Sequence, residues 1–323
     1  MKQQPWMLDL ERRAIKAFEA MSVLMTNTCI NYQTIMPPVK GEHAAYGDTG
    51  VVIYTNSVCG ARSNFEGGPS ALSAGLTGRT PRYGFHLDER RLATLRINMS
   101  WTPRELNEWG ALGGVVGRLA GDYWQVPVIA GLDRIPGSDE MKHFGAALAS
   151  FGSVALFHMA GITPEAERLE DVLPKGKAIR EHAVGEQDVR ALQKRYINEV
   201  DSVDLVVFSA PQLSIVELQQ LADLLDGRQA KIPLLAVTSP QVKPDADRMG
   251  LTARIEAAGG SVLEGMCFYQ SYAREMAEAN NWKKLATNSA KLTNIIGGYG
   301  YKPALLSMEA CVRTACAGGR IAQ

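Results

Sequence analysis

Short apolar runs alternate with amphipathic stretches along this chain, and that alternation limits its fold more than any other feature. Runs of strand length lie at residues 51–55, 126–130, 154–158, 205–208, 234–237 and 285–287. Helical spacing holds over residues 106–120, 140–151, 189–199, 214–225 and 245–258, with a first helix over 8–25 and a last over 308–316. Strands separated by helices build parallel sheets with helices packed on their faces, so the predicted class is α/β. Gly113 and Gly114 allow the helix over 106–120 to pack closely against a neighbour. Ser214 followed by Glu217 is a capping-box signal for the helix over 214–225. At 323 residues, 46% of them hydrophobic, the chain can bury a large core or two domains. The charged run over 165–186 is the best candidate for a break between sub-domains and suits a surface connection equally well.

Charge and cysteine usage narrow the function. Lys plus Arg and Asp plus Glu both number 34, so no basic excess points to nucleic acid or to an anionic membrane. No apolar stretch approaches the roughly 20 residues that span a bilayer. The five cysteines are an odd number without disulfide-framework spacing, and the first residues lack an apolar leader. A cytoplasmic protein with reduced thiols is the expectation.

Polar chemistry concentrates after the apolar run at 51–55. Asn56, Ser57, Arg62, Ser63, Asn64 and Glu66 crowd into a few residues, and Gly67-Gly68-Pro69 then opens a helical segment over 70–76. A strand that ends in polar groups and feeds a helix N-terminus is an anion-binding arrangement of α/β proteins. Arg62 offers a fork for a carboxylate. Glu66 suits an acid, a base or a partner for arginine. The same residues also suit a surface loop with an Asn/Gly turn. Further on, Asn288, Ser289, Ala290 and Lys291 follow a strand, where backbone amides and a lysine make a carboxylate or phosphate site. Glu42-His43 is a possible acid/base pair, whereas His86 and His158 read as structural histidines.

The run Asn56-Ser-Val-Cys-Gly-Ala-Arg-Ser-Asn-Phe-Glu-Gly-Gly-Pro-Ser-Ala-Leu72, continuing through Thr77-Gly-Arg-Thr-Pro-Arg-Tyr-Gly-Phe-His-Leu87, resembles the signature of the aconitase X large subunit or domain. Thr28-Cys29, Gly41-Glu-His43, His158-Met-Ala-Gly-Ile-Thr-Pro-Glu-Ala166, Asp204-Leu-Val-Val207, Thr287-Asn-Ser-Ala-Lys291 and Cys311-Val-Arg313 extend the match in order along nearly the whole chain. The resemblance implies an aconitase-like fold of parallel sheets flanked by helices, spanning residues 1–323. It implies a hydro-lyase that removes water from a small hydroxy acid such as cis-3-hydroxy-L-proline. Asn56, Ser57, Arg62, Asn64, Ser289 and Lys291 would bind the substrate, and Glu66 and His43 are the catalytic candidates on this chain.

The resemblance also implies iron, as an ion or an iron-sulfur cluster, held by three cysteines and acting as a Lewis acid. Two of them map to Cys29 and Cys267. The third belongs to a Gly-Cys-Pro-His motif that here reads Ser209-Ala-Pro-Gln212, so Ala210 stands for the cysteine and Gln212 for the histidine. Cys59 is the candidate thiol to replace it, while Cys311 and Cys316 read as small buried hydrophobes. Ala290 and Asn294 stand where the family has glycine and histidine. The proton-abstracting serine belongs to a separate small swivel subunit, of which this chain shows no loop. The family also has a further N-terminal segment, and the chain is expected to begin after it. The alternative expectation is a metal-free binding or regulatory homologue that kept the fold and lost the activity.

Overall fold

All nine residues of the strand Leu205–Leu213 are buried. A strand that is apolar on both faces belongs at the centre of a parallel sheet. The computed structural model describes residues 5–197 and 200–321 and puts that strand in this place. The N-terminal part is helical: α1 (Pro5–Ala20), α2 (Thr49–Ser57) and α3 (Gly67–Thr77). Next come β1 (Leu95–Met99), α4 (Leu106–Ala120), β2 (Pro127–Ala130), α5 (Ser138–Gly152), β3 (His158–Met159), β4 (Arg180–Val184) and α6 (Glu186–Ile197). The last part holds β5 (Leu205–Leu213), α7 (Ile215–Leu225), β6 (Leu234–Thr238), α8 (Lys243–Arg248), α9 (Leu251–Ala257) and β7 (Gly260–Glu264). It closes with α10 (Ala273–Asn280), β8 (Lys284–Thr287), α11 (Ala290–Ile296), β9 (Lys302–Leu305) and α12 (Met308–Cys316).

Two parallel sheets result, ordered β3-β2-β1-β4 and β7-β6-β5-β8-β9. The expected α/β class, with parallel sheets flanked by helices, therefore holds. The charged run at 165–186 contains β4, which pairs with β1, so the change from one sheet to the other falls after it, between β4 and β5. Helices α4 and α5 cross with almost no side chain between them. A Cβ on Gly113 would lie 2.2 Å from the carbonyl oxygen of Phe144, and one on Gly152 would lie 2.3 Å from that of Gly117. This is the close packing expected of the small-residue helix.

Several local expectations are corrected. Residues 51–55 are not a strand but the middle of α2, a helix with every residue from Gly50 to Ser57 buried. A short apolar run has no period to separate helix from buried strand. Asp48 decides the matter as N-cap, its side chain accepting from the backbone N–H of Val51 at 3.0 Å. Of 154–158 only His158 is in a strand. The helix over 8–25 stops at Ala20, and 245–258 splits into α8 and α9 at Gly250, whose φ is 73°. The end of the 189–199 helix lies in part outside the described residues. Strands β1, β4, β7 and β9 were not expected. In β1, Arg96 and Asn98 alternate with apolar residues, and in β4 only Val184 is buried, so neither stands out as an apolar run. No described helix is long and apolar enough to cross a membrane.

Candidate functional site

Three loops meet at the end of β5. Its pairing with β6 slips between Phe208 and Leu213, a bulge of the kind that re-aims side chains. Gln212 emerges there and ties two cysteine-bearing loops together. Its Oε1 accepts from Thr28 Oγ1 at 2.9 Å and from the N–H of Cys29 at 3.2 Å. Its Nε2 donates to the carbonyls of Met266, at 3.1 Å, and Asn27, at 3.4 Å. The glutamine thus holds the loops of Cys29 and Cys267 together. Ser289 caps α11 and donates to the carbonyl of Ala210 at 2.6 Å, which binds the third loop to the same place.

Lys291 is the cation nearest these two thiols. Its Nζ lies 3.7 Å from Asp48 Oδ2, and its side chain is nearly buried. A Cβ on Gly50 would sit 3.4 Å from that Nζ, so glycine there leaves the ammonium its space. Burial works against the charge of Lys291. Asp48, then Tyr269, Cys29 and Cys267, outweigh burial and push its pKa up. Burial, followed by the neighbouring Cys29, pushes the Cys267 thiol up to about 12. Burial and Asp48 also raise Cys29. A buried ammonium has the chemistry to pair with a carboxylate or phosphate.

The donor set does not match three-thiolate iron. Cys29 and Cys267 are neighbours, but the third position is the methyl group of Ala210, and the amide of Gln212 is spent on the loops. Cys59 packs toward Tyr46 and Tyr54 instead, and burial pushes its thiol up to about 11. Among the described residues no group of three or more His, Cys, Asp or Glu side chains could hold a metal ion. Cys311 is fully buried and Cys316 packs on the same core, as small hydrophobes do.

The signature run forms a second cluster. Much of its polarity turns inward rather than toward a ligand. Asn56 donates to the carbonyls of Ser63 and Ala155 and accepts from the Ser63 N–H, all at 2.8 Å. Ser57 accepts from the Phe157 N–H. Asn64 accepts from the Phe85 N–H and from the Tyr123 hydroxyl. These three, and Ser289, are held by the fold. Arg62 sits at a cavity rim, donating to the carbonyl of His86 and pairing with Asp88. Lys291 faces Asp48, whereas Arg62 is held by Asp88 and the carbonyl of His86, so the two expected anchors have different protein partners.

His43 and His86 stack with ring centres 5.0 Å apart, and their Nδ1 atoms lie 2.8 Å apart. Glu66 Oε1 lies 3.9 Å from His86 Nε2 and is supported by Asn64, while Ser70 donates to Glu66 Oε2. Burial, then His43, lowers the pKa of His86 and favours its neutral ring. The sequence pointed to His43 and Glu66 but not to the histidine that links them. Nor did it single out Asp48, Tyr269 or Arg91. Asp48 was legible as a helix cap, but nothing local marked the other two.

Models described as the first, second and third domains of aconitase X match residues 2–89, 93–194 and 203–317. The phosphomevalonate dehydratase large subunit of Methanothermobacter thermautotrophicus is 37% identical over 289 residues, 88% of this chain and 69% of that protein. The chain belongs to the aconitase X family. A second relative, the cis-3-hydroxy-L-proline dehydratase of Hypocrea jecorina, is 31% identical over 94% of this chain and 52% of its own length. The crystal structure of Thermococcus kodakaraensis aconitase X in its holo-form superposes with a TM-score of 0.89 at 29% identity, covering 97% of this chain and 78% of that one. Dehydratases are hydro-lyases, and this chain is an enzyme of that aconitase X class.

Proposed function

We propose that the chain is the large subunit of a hydro-lyase that removes water from a small hydroxy acid whose hydroxyl is β to a carboxylate. The observation that carries this reading is Lys291, a buried cation beside Asp48 with Cys29 and Cys267 as neighbours. The two compounds that the relatives are named for share the β-hydroxy acid pattern, and cis-3-hydroxy-L-proline is the smaller of them. The ammonium of Lys291 fixes the substrate's acid group, which removes much of the entropic part of the barrier. The proton on the carbon next to the carboxylate leaves to a base on a small subunit, a serine by resemblance, and the hydroxyl departs as water. The large-subunit names of the relatives support such a partner. The unpaired cysteines suit the reducing cytoplasm.

The test is product formation, followed by proton NMR, from cis-3-hydroxy-L-proline and from phosphomevalonate. The chain is supplied with its small subunit. One of the two acids is expected to lose water, and the chain alone is expected to be inactive. A folded, partner-bound chain that dehydrates neither would overturn the reading. Ala210 in the place of a ligand would then favour the second one, a binding homogue of the enzyme that kept the pocket and lost the chemistry.

A further inference from the structure

The histidine pair in the signature cluster is built for one arrangement of protons. Two Nδ1 atoms 2.8 Å apart can hydrogen-bond only if one carries the proton and the other offers its lone pair. His86 is buried, and its Nε2 has no hydrogen-bond partner although Glu66 Oε1 is 3.9 Å away. If His86 accepts at Nδ1, its own proton must sit on Nε2, where it faces the carboxylate. His43 then keeps its proton on Nδ1, which leaves its Nε2 free to gain or give one. His43 is exposed and makes no other described hydrogen bond. It lines two adjoining cavities of about 560 and 580 Å³, and the second is also lined by Arg62, Thr80, Arg82, His86 and Asp88. An exposed histidine, backed by a buried group that sets its tautomer and by a carboxylate behind that, is the general layout of an oriented acid/base residue.

We propose that His43 is a catalytic acid/base residue of this chain and that His86, held between it and Glu66, is its positioning residue. This rests on the hydro-lyase reading and adds the group that handles the leaving hydroxyl. Protonated Nε2 of His43 gives its proton to the hydroxyl oxygen as the carbon–oxygen bond breaks, and water leaves. The electron pair of the broken carbon–hydrogen bond becomes the new double bond, and that proton goes to the base. Both groups regain their starting state by exchange with solvent. Arg62 and Arg82 on the same cavity wall suit an anionic substrate.

The experiment measures dehydration by the two-subunit protein together with the ¹⁵N spectrum of its histidines. His43→Gln, at an exposed position, is expected to fold normally and to lower kcat by about 100-fold or more, with KM changed little. His86→Leu is expected to lower kcat at least about tenfold, and His86→Asn, whose amide oxygen can still accept from Nδ1, to recover most of it. The spectrum is expected to show His43 with its proton on Nδ1. Unchanged kcat in His43→Gln, in a preparation whose wild type is active, would overturn the proposal. So would equal losses in His86→Leu and His86→Asn. If the wild type dehydrates neither acid, the hydro-lyase reading fails separately. The proton-sharing pair is then upheld by an Nδ1–H tautomer at His43 and overturned by two independent Nε2–H rings.

Discussion

Glu217→Ala is expected to destabilise the fold by about 3–5 kcal/mol, because it strips the counter-charge from a buried lysine. Glu217 lies on α7 and reaches α5, where Lys142 is fully buried. Lys142 Nζ pairs with one oxygen of Glu217, and His143 Nε2 lies 2.8 Å from the other. Asp139, 2.9 Å from the same ammonium, is only a partial replacement. Glu217 also accepts from the N–H of Ser214 and so closes the capping box. Lys142 in turn donates to the carbonyl of Gln212, so the damage would reach the loop of Cys29. Burial alone would raise the pKa of Glu217. The Lys142 ammonium and the hydrogen bond from His143 overcome it and bring the carboxyl down to about 2. A depressed carboxylate pKa stabilises the fold above the unfolded value and loses that contribution as pH falls through the folded one. The wild type should therefore keep this contribution above about pH 4.5 and lose it toward about pH 2. Urea midpoints at neutral and acid pH check both statements. A loss below about 1 kcal/mol at pH 7 would contradict them.

The second large effect is expected from Arg91→Met, which keeps the apolar stem and removes the guanidinium. Arg91 is buried in front of the signature run. It meets Glu165 at 2.7 Å and donates to the carbonyls of Phe85, Asn56 and Ala61 at 2.9–3.0 Å. His158 packs behind it, 2.8 Å from its carbonyl. The substitution leaves three carbonyls without their donor and a carboxylate without its partner. The expected loss is about 3–5 kcal/mol, read from the urea midpoint at unchanged slope. The loop carrying Arg62 should loosen with it, so proteolysis between residues 56 and 66 should quicken. A variant as stable as the wild type would show that the carbonyls are satisfied by other groups.

How far the sequence was legible depends on how local each signal is. Ser214 and Glu217 announced the start of α7 correctly, since a capping box is contained in four residues. The partners of Glu217 in α5 lie more than 70 residues away, and no local pattern could name them. Residues 51–55 misled because a run buried on all sides carries no period, although Asp48 marked a helix start. The polar side chains of Asn56, Ser57 and Asn64 looked like ligand contacts, but they satisfy buried backbone groups, a choice that only tertiary packing reveals. Cys29, Cys267 and Lys291 were brought together by resemblance, not by spacing, and the structure adds Asp48 and Tyr269 around them. The pairing of His43 with His86 spans 43 residues and was not foreseeable from either one.

The central claim is that Lys291 anchors the substrate's acid group. The most direct measurement is kcat/KM for water loss by the two-subunit protein, wild type against Lys291→Met. Methionine fills the space without charge, and Asp48 stays partly solvated as a helix cap, so the fold should survive. A fall of roughly 100-fold or more in kcat/KM, at a melting temperature within a few degrees of the wild type, is the expected result. A Lys291→Met enzyme with wild-type kcat/KM would contradict the account and move the anchor elsewhere.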